Sequence, residues 1–133
     1  SAKFATPGVN IGLFCSTPMV ALSRNLSNKH TMEMLLTGDL ISSEKAYRIG
    51  LVNEVLENEK LKDFVEKQAL KISKKSSMTL KIGKEAFYKQ INMNLSDAYS
   101  YASEIMVENM LKLDAEEGIN AFIEKRKPNW HDK

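Results

Sequence analysis

Cysteine is nearly absent. Cys15 is the only one in 133 residues. It has no partner for an internal disulfide, so the fold needs no oxidising compartment. An excess of either charge is missing too: 19 Lys and Arg against 17 Asp and Glu leave a net charge of +2. That balance gives no electrostatic case for nucleic acid as the main partner. No window approaches the ~18 consecutive apolar residues expected of a membrane-crossing helix. No signal-type apolar run stands in the opening Ser1-Ala2-Lys3-Phe4-Ala5-Thr6-Pro7, so no targeting leader is expected. This abrupt start, without an initiator Met, is read as processing or as a boundary within something longer. Internal repeats and low-complexity tracts are not found. What is present is ordinary for a folded protein: 43% apolar and 27% charged residues, near the average of about 45–50% and 25%. This excludes a disordered chain. At ~150 residues per domain the length allows one domain, able to bury roughly two-thirds of its unfolded surface.

The first 20 residues read as irregular or extended. Pro7, Gly8, Gly12 and Pro18 break any helix, and Phe4, Val9, Ile11 and Leu13 alternate weakly. From about Thr17 to Thr37 the pattern is helical, with a break near Asn25 to Asn28 and Gly38 placed to end it. Ser42 or Ser43 is expected to cap a short helix with Glu44 in its first turn, closed by Gly50. Leu51-Val52-Asn53-Glu54-Val55-Leu56 is the best strand candidate. The second half reads as helices marked by Leu61, Phe64, Val65, Ala69 and Ile72, then by Leu80, Phe87 and Ile91. Ser96 is expected to cap the next, running through Ala98, Ala102, Ile105, Met106, Met110 and Leu113. Asp114 with Glu117 three residues later resembles a capping box for the last, with Pro128 beyond its end. The expected chain is mainly α, with about six helices and one or two short strands.

Catalytic chemistry is hard to find. His30 and His131 have no metal-spaced partners, so no metal site is expected. His30 reads as a surface or capping residue and His131 as a solvated tail residue. Phosphate-binding and nucleophile-elbow glycine motifs are not found. Cys15, between Phe14 and Ser16, reads as a buried inert thiol rather than a nucleophile, because nothing nearby would lower its pKa. Glu124-Lys125-Arg126-Lys127 is either a solvated helix end or a phosphate contact. Met32, Met78, Met106 and Met110 fall at helical spacing, which favours core packing over a flexible binding surface.

Several segments taken in order resemble the crotonase superfamily of enoyl-CoA hydratases and isomerases. Phe4-Ala5-Thr6-Pro7-Gly8-Val9-Asn10-Ile11-Gly12 is similar to its F-x-x-P-E-x-x-x-G segment, and Met32 to Asp39 to its M-x-L-T-G-x element. Ile41 to Val55 resembles I-x-A-x-x-A-x-x-x-G-L-V-N-x-V, and Glu117 to Pro128 resembles E-G-x-x-A-F-x-E-K-R-x-P. Phe14 to Pro18 and Phe87 to Gln90 resemble an atypical group within it, the enoyl-CoA hydratase domain-containing 3 proteins.

The resemblance implies the C-terminal portion of an α/β crotonase-like fold. Residues 1–56 would end the crotonase core, and 57–133 would form a C-terminal helical trimerisation region. The family's oxyanion-hole donors, usually the largest catalytic contribution, belong to the half that nothing here matches. Gly8 stands where the hydratases carry a general acid/base Glu, and glycine cannot activate water or donate a proton. No catalytic residue is therefore assigned. Phe122 and Lys125 match the pair that reaches the coenzyme A of a neighbouring subunit; the alternative is a core Phe and an exposed Lys.

The expected ligand is an acyl-CoA, a coenzyme A thioester, with no covalently bound cofactor. The expected partners are copies of the chain, a trimer or hexamer in the full-length family, with no nucleic acid and no membrane. The expected location is cytoplasmic, or mitochondrial for a eukaryotic source. A second reading is a non-catalytic helical module that self-associates through Leu80, Phe87, Ile91, Ile105, Met106 and Met110.

Overall fold

The computed structural model describes residues 1–132. Two compact units divide the chain, Ser1–Leu61 and the part from Lys62 onward. In the first, β1 (Lys3–Phe4) and β2 (Ile41–Ser42) pair antiparallel, with Phe4 opposite Ile41 and Lys3 opposite Ser42. Between them run a 3₁₀ turn at Pro7–Ile11 and two helices, α1 (Ser16–Asn25) and α2 (Asn28–Thr37). The short helix α3 (Ser43–Arg48) follows β2.

Local signals account for most of these boundaries. The Ser27 hydroxyl accepts from the N–H of His30 at the start of α2, and Gly38, at φ 65°, ends it with an N–H donated to the Met34 carbonyl. The Ser42 hydroxyl, rather than that of Ser43, accepts from the N–H of Lys45 and caps α3. Pro18 does not break the chain's helix as the sequence suggested. It is the third residue of α1, where an N–H would have no intrahelical acceptor, so its loss costs nothing.

Leu26, Met34, Ile41 and Ala46 form the buried cluster of this unit, with Phe4, Leu22, Ile49, Leu51 and Val52 packed against it. The Thr6 hydroxyl reaches into it and donates to the Met34 carbonyl at 2.8 Å. The strand expected at Leu51–Leu56 does not form. Leu51 and Val52 instead turn their N–H groups to the Ala46 carbonyl, at 2.8 and 3.4 Å. Their apolar side chains cover the end of α3 rather than joining a sheet, and the β1–β2 sheet has two strands. Met32 is also displaced from its expected core role. It is half exposed, while Met34 on the adjoining face is buried.

The second unit holds most of α4 (Asn58–Ser73) and all of α5 (Ser77–Gln90), α6 (Leu95–Met110) and α7 (Leu113–Ile123). The expected cap Ser96 lies inside the first turn of α6. Asn94 caps it instead: its Oδ1 accepts from the N–H of Asp97 at 3.0 Å, and its Nδ2 donates to the Asp97 carboxylate at 2.7 Å. An Asn can both accept and donate, which closes a reciprocal box that a Ser two residues later cannot. Helices α5 and α6 lie side by side, with half-buried Ile82, Ala86, Ala98 and Ile105 along them. Met106 and Met110 do not pack as core. They are 60% and 58% exposed, because the half-buried Ile105 faces α5 and they lie beside it. Among the described residues of this unit Ala121 is the one buried apolar side chain. Among the described residues, seven α-helices and two short strands thus make a mainly helical structure.

Candidate functional site

The second unit concentrates its chemistry at α7 and the segment after it. The Asp114–Glu117 capping box is not formed. Lys112 occupies the cap position, and no side chain bonds there. Both carboxylates are taken by the returning tail. Asp114, 2% exposed, accepts the N–H of His131 at 2.6 Å and that of Asp132 at 3.1 Å. Burial works against its charge, but the Ser76 hydroxyl and those two N–H groups hold the carboxyl below its ordinary value.

Glu117 makes a two-point contact with Arg126, at 2.6 and 2.9 Å, and accepts the Asn129 N–H at 2.7 Å. The guanidinium, helped by that N–H, lowers the Glu117 carboxyl from 4.5 to about 2. Arg126 also meets Glu124, and the two carboxylates hold its proton more tightly still. Asp132 crosses to α5, where its Oδ1 accepts the N–H of Ser77 at 2.8 Å and of Met78 at 3.4 Å. Those contacts keep the Asp132 carboxyl below its usual range. A tail residue therefore supplements Ser76, the cap of α5, by taking N–H groups at a helix start 55 positions earlier in sequence. None of this was legible as a site. The one available signal was the density of Asp, Glu and Arg around α7, which reads equally well as helix-end charge.

Trp130 completes the arrangement. Its indole N–H donates to the Lys74 carbonyl at 2.8 Å. Its ring lies over Gly118, where an added Cβ would sit 3.4 Å from the ring carbons. Trp130, Leu80, Ala115, Gly118, Ile119 and Phe122 line a cleft of about 620 Å³. Its wall is mostly carbon, with Lys75, Ser76, Thr79, Asn109 and Asp114 as its polar members.

Phe122 stands at this cleft and is 84% exposed. Lys125 is exposed one turn further on, and its N–H bonds the Phe122 carbonyl at 3.3 Å. The structure thus puts Phe122 in the last turn of α7 and Lys125 just past its end. Lys125 carries φ 56°, a left-handed conformation that helices usually end with Gly and that costs an L-residue roughly 1 kcal/mol.

The first unit holds Gly8, whose N–H donates to the sulfur of Cys15 at 3.3 Å. Cys15 is half-buried. A Cβ added at Gly8 would lie 2.5 Å from the Leu13 carbonyl oxygen and 2.8 Å from the Cys15 sulfur. The turn is closed by its own backbone, so no side chain fits there without a shift. His30 lies apart from these groups, with its Nδ1 3.6 Å from Glu33. His131 is exposed and enters the clasp only through its backbone N–H.

Comparison with known proteins gives the family. The family described as enoyl-CoA hydratase/isomerase matches residues 1–133. The chain belongs to that family. It is 50% identical over 129 residues to the mitochondrial enoyl-CoA hydratase domain-containing protein 3 of Xenopus laevis, a match covering 97% of this chain and 44% of that protein. The human protein of the same description is 46% identical, with 97% and 43% covered. Among solved structures, an enoyl-CoA hydratase of Mycobacterium smegmatis superposes with TM-score 0.94 at 46% identity, covering 98% of this chain and 51% of the other. The human enoyl-coenzyme A hydratase domain-containing protein 3 superposes with TM-score 0.92 at 46% identity, covering 97% and 51%. This chain spans less than half the length of those two curated relatives. Its helices are those of one part of a crotonase-fold protein.

Proposed function

We propose that this chain supplies the coenzyme A-facing helices of an acyl-CoA-binding protein of the family, and that alone it does not hydrate an enoyl thioester. The observation that carries the reading is Phe122, 84% exposed at a mostly apolar cleft, with the exposed Lys125 three residues further on. An aromatic face in water gains by stacking on a purine, and an ammonium one turn away meets the phosphates. Residues 1–56 would complete the core of the fold and 57–133 would carry assembly into a trimer or hexamer. The relatives named mitochondrial support the same location for this protein.

Hydration of a conjugated double bond requires a group to activate water and a proton donor for the α-carbon. Gly8 offers neither, and the Leu13 carbonyl and Cys15 sulfur fill the space a side chain would need. The test is calorimetric titration of coenzyme A into the 133-residue chain, with crotonyl-CoA absorbance followed in parallel. Saturable binding, weakened about tenfold by Phe122→Ala, is the expected result, since base–aromatic stacking is worth ~1–3 kcal/mol. No binding, or equal binding by the variant, overturns the ligand assignment. Turnover above a protein-free blank overturns the inactive reading.

The exposed faces of α5 and α6 favour a second reading, a helical self-association module. Phe87 and Ile91 are each 52% exposed, and Met106 and Met110 are 60% and 58% exposed. Leu80 and Ile105 are half-buried beside them. Size-exclusion with light scattering tests it; a monomer at every concentration removes it.

A further inference from the structure

We propose that Glu117 and Arg126 act as positioning residues for Lys125, holding the chain in the left-handed turn just past α7 from which its exposed side chain would reach a phosphate of a nucleotide bound at Phe122. The inference rests on the coenzyme A reading and adds to it how the cation is held.

The geometry of the turn carries it. Lys125 has φ 56°, a conformation suited to glycine. The turn closes with the Arg126 N–H on the Ala121 carbonyl at 3.0 Å and the Lys125 N–H on the Phe122 carbonyl at 3.3 Å, the bonding of a helix stop that normally carries Gly. A lysine here is strained, and such strain persists only where the surroundings over-determine it. The surroundings are at hand in the next residue. Arg126, past the end of α7, grips both oxygens of Glu117, nine residues back within the helix, and the Asn129 N–H joins the same carboxylate. Arg126 reaches Glu117 because the chain reverses at Lys125, and the grip keeps it reversed. The Arg126 charge is then taken up by Glu117 and Glu124. Lys125, just past the end of α7, is left exposed as the cation for an anionic ligand.

The test is calorimetric titration of coenzyme A into the full chain at two salt concentrations, with far-UV circular dichroism as a control on folding. Lys125→Gly keeps the turn and removes the cation. It should melt at a higher temperature, bind coenzyme A about fivefold more weakly and lose part of its salt dependence. Glu117→Gln and Arg126→Lys leave Lys125 in place but loosen the two-point grip. Each should reproduce the weaker binding and the shallower salt dependence. Either variant that keeps its helical spectrum suffices, should the other fail to fold. Wild-type affinity and salt dependence in the folded variants overturn the positioning role and leave the coenzyme A reading standing. Weaker binding with an unchanged salt dependence shows general support of the fold and also overturns it. No binding by the wild-type chain overturns the coenzyme A reading, and the positioning role falls with it.

Discussion

Arg126, just past the end of α7, closes on Glu117 within it through two bonds, Nη1 to Oε1 at 2.6 Å and Nη2 to Oε2 at 2.9 Å. This pair folds the tail back onto α7 and makes the tail sensitive to acid. The Glu117 carboxyl is lowered from 4.5 to about 2. A carboxylate lowered on folding stabilises the folded form above its unfolded value and loses that contribution as pH falls toward its folded value. Asp114 and Asp132 are shifted in the same direction. The tail is therefore expected to be released as pH falls from about 4.5 to about 2. Trp130 reports it, being the only tryptophan and bonded to the Lys74 carbonyl. A change in its emission across that window is the expected outcome; emission constant from pH 7 to 2 would sink the idea.

Restoring a carboxylate at position 8 should not restore hydration. Gly8→Glu and Gly8→Ala meet the same obstacle, because the first side-chain carbon already falls 2.5 Å from the Leu13 carbonyl oxygen. Both are expected to destabilise the chain by about 1–3 kcal/mol, the usual cost of overpacking. Urea denaturation measures it. A glutamate variant that folds as stably as the parent and consumes crotonyl-CoA would contradict both halves of the prediction.

The cap of α6 separates two neighbouring residues cleanly. Asn94→Ala should cost about 1 kcal/mol, because it removes the acceptor of the Asp97 N–H. Ser96→Ala should change stability by less than about 0.5 kcal/mol, as an uninvolved surface position. Paired thermal melts decide it, and a reversed order of the two variants would refute the assignment.

Leu35 and Met106 make a similar contrast. Leu35 is 0% exposed, and Met106 is 60% exposed. Leu35→Ala should cost about 2–5 kcal/mol. Met106→Gln should leave the stability of a dilute monomer nearly unchanged. It should lower any self-association seen by light scattering, if α6 forms part of a contact between copies. A large loss of monomer stability in the Met106 variant would return it to the core.

The helices were legible because their signals are local. The Ser27 cap, the Gly38 stop and the Ser42 cap each lie within a few residues of the turn they control. The failures share one cause, competition from hydrogen-bond partners that the local pattern does not reveal. Leu51 and Val52 carry a strand-like pattern, but the Ala46 carbonyl at the end of α3 captures their N–H groups. Asp114 and Glu117 have capping-box spacing, but the N–H groups of residues 129–132 claim them first. The methionine pattern gave a helical face correctly and its burial wrongly, since spacing marks a face without naming what covers it. Phe122 and Lys125 were found through the family's ending. The grip that shapes the backbone at Lys125 was not, because an E-G…K-R string does not show that its two charged ends meet.

The bond from Asp132 to the first turn of α5 has a further consequence. It ties together positions 55 residues apart, so the second unit is a closed ring of chain rather than a row of helices with a loose end. A contact that closes a long loop narrows the conformations open to everything inside it, as a reversible cross-link would. Trimming the last few residues by a carboxypeptidase would therefore open a circuit that includes α5, α6 and α7. Its effect would register as fraying at Ser77 and Met78, deep within the sequence, as well as at Asp114 of α7, which loses the N–H groups of His131 and Asp132.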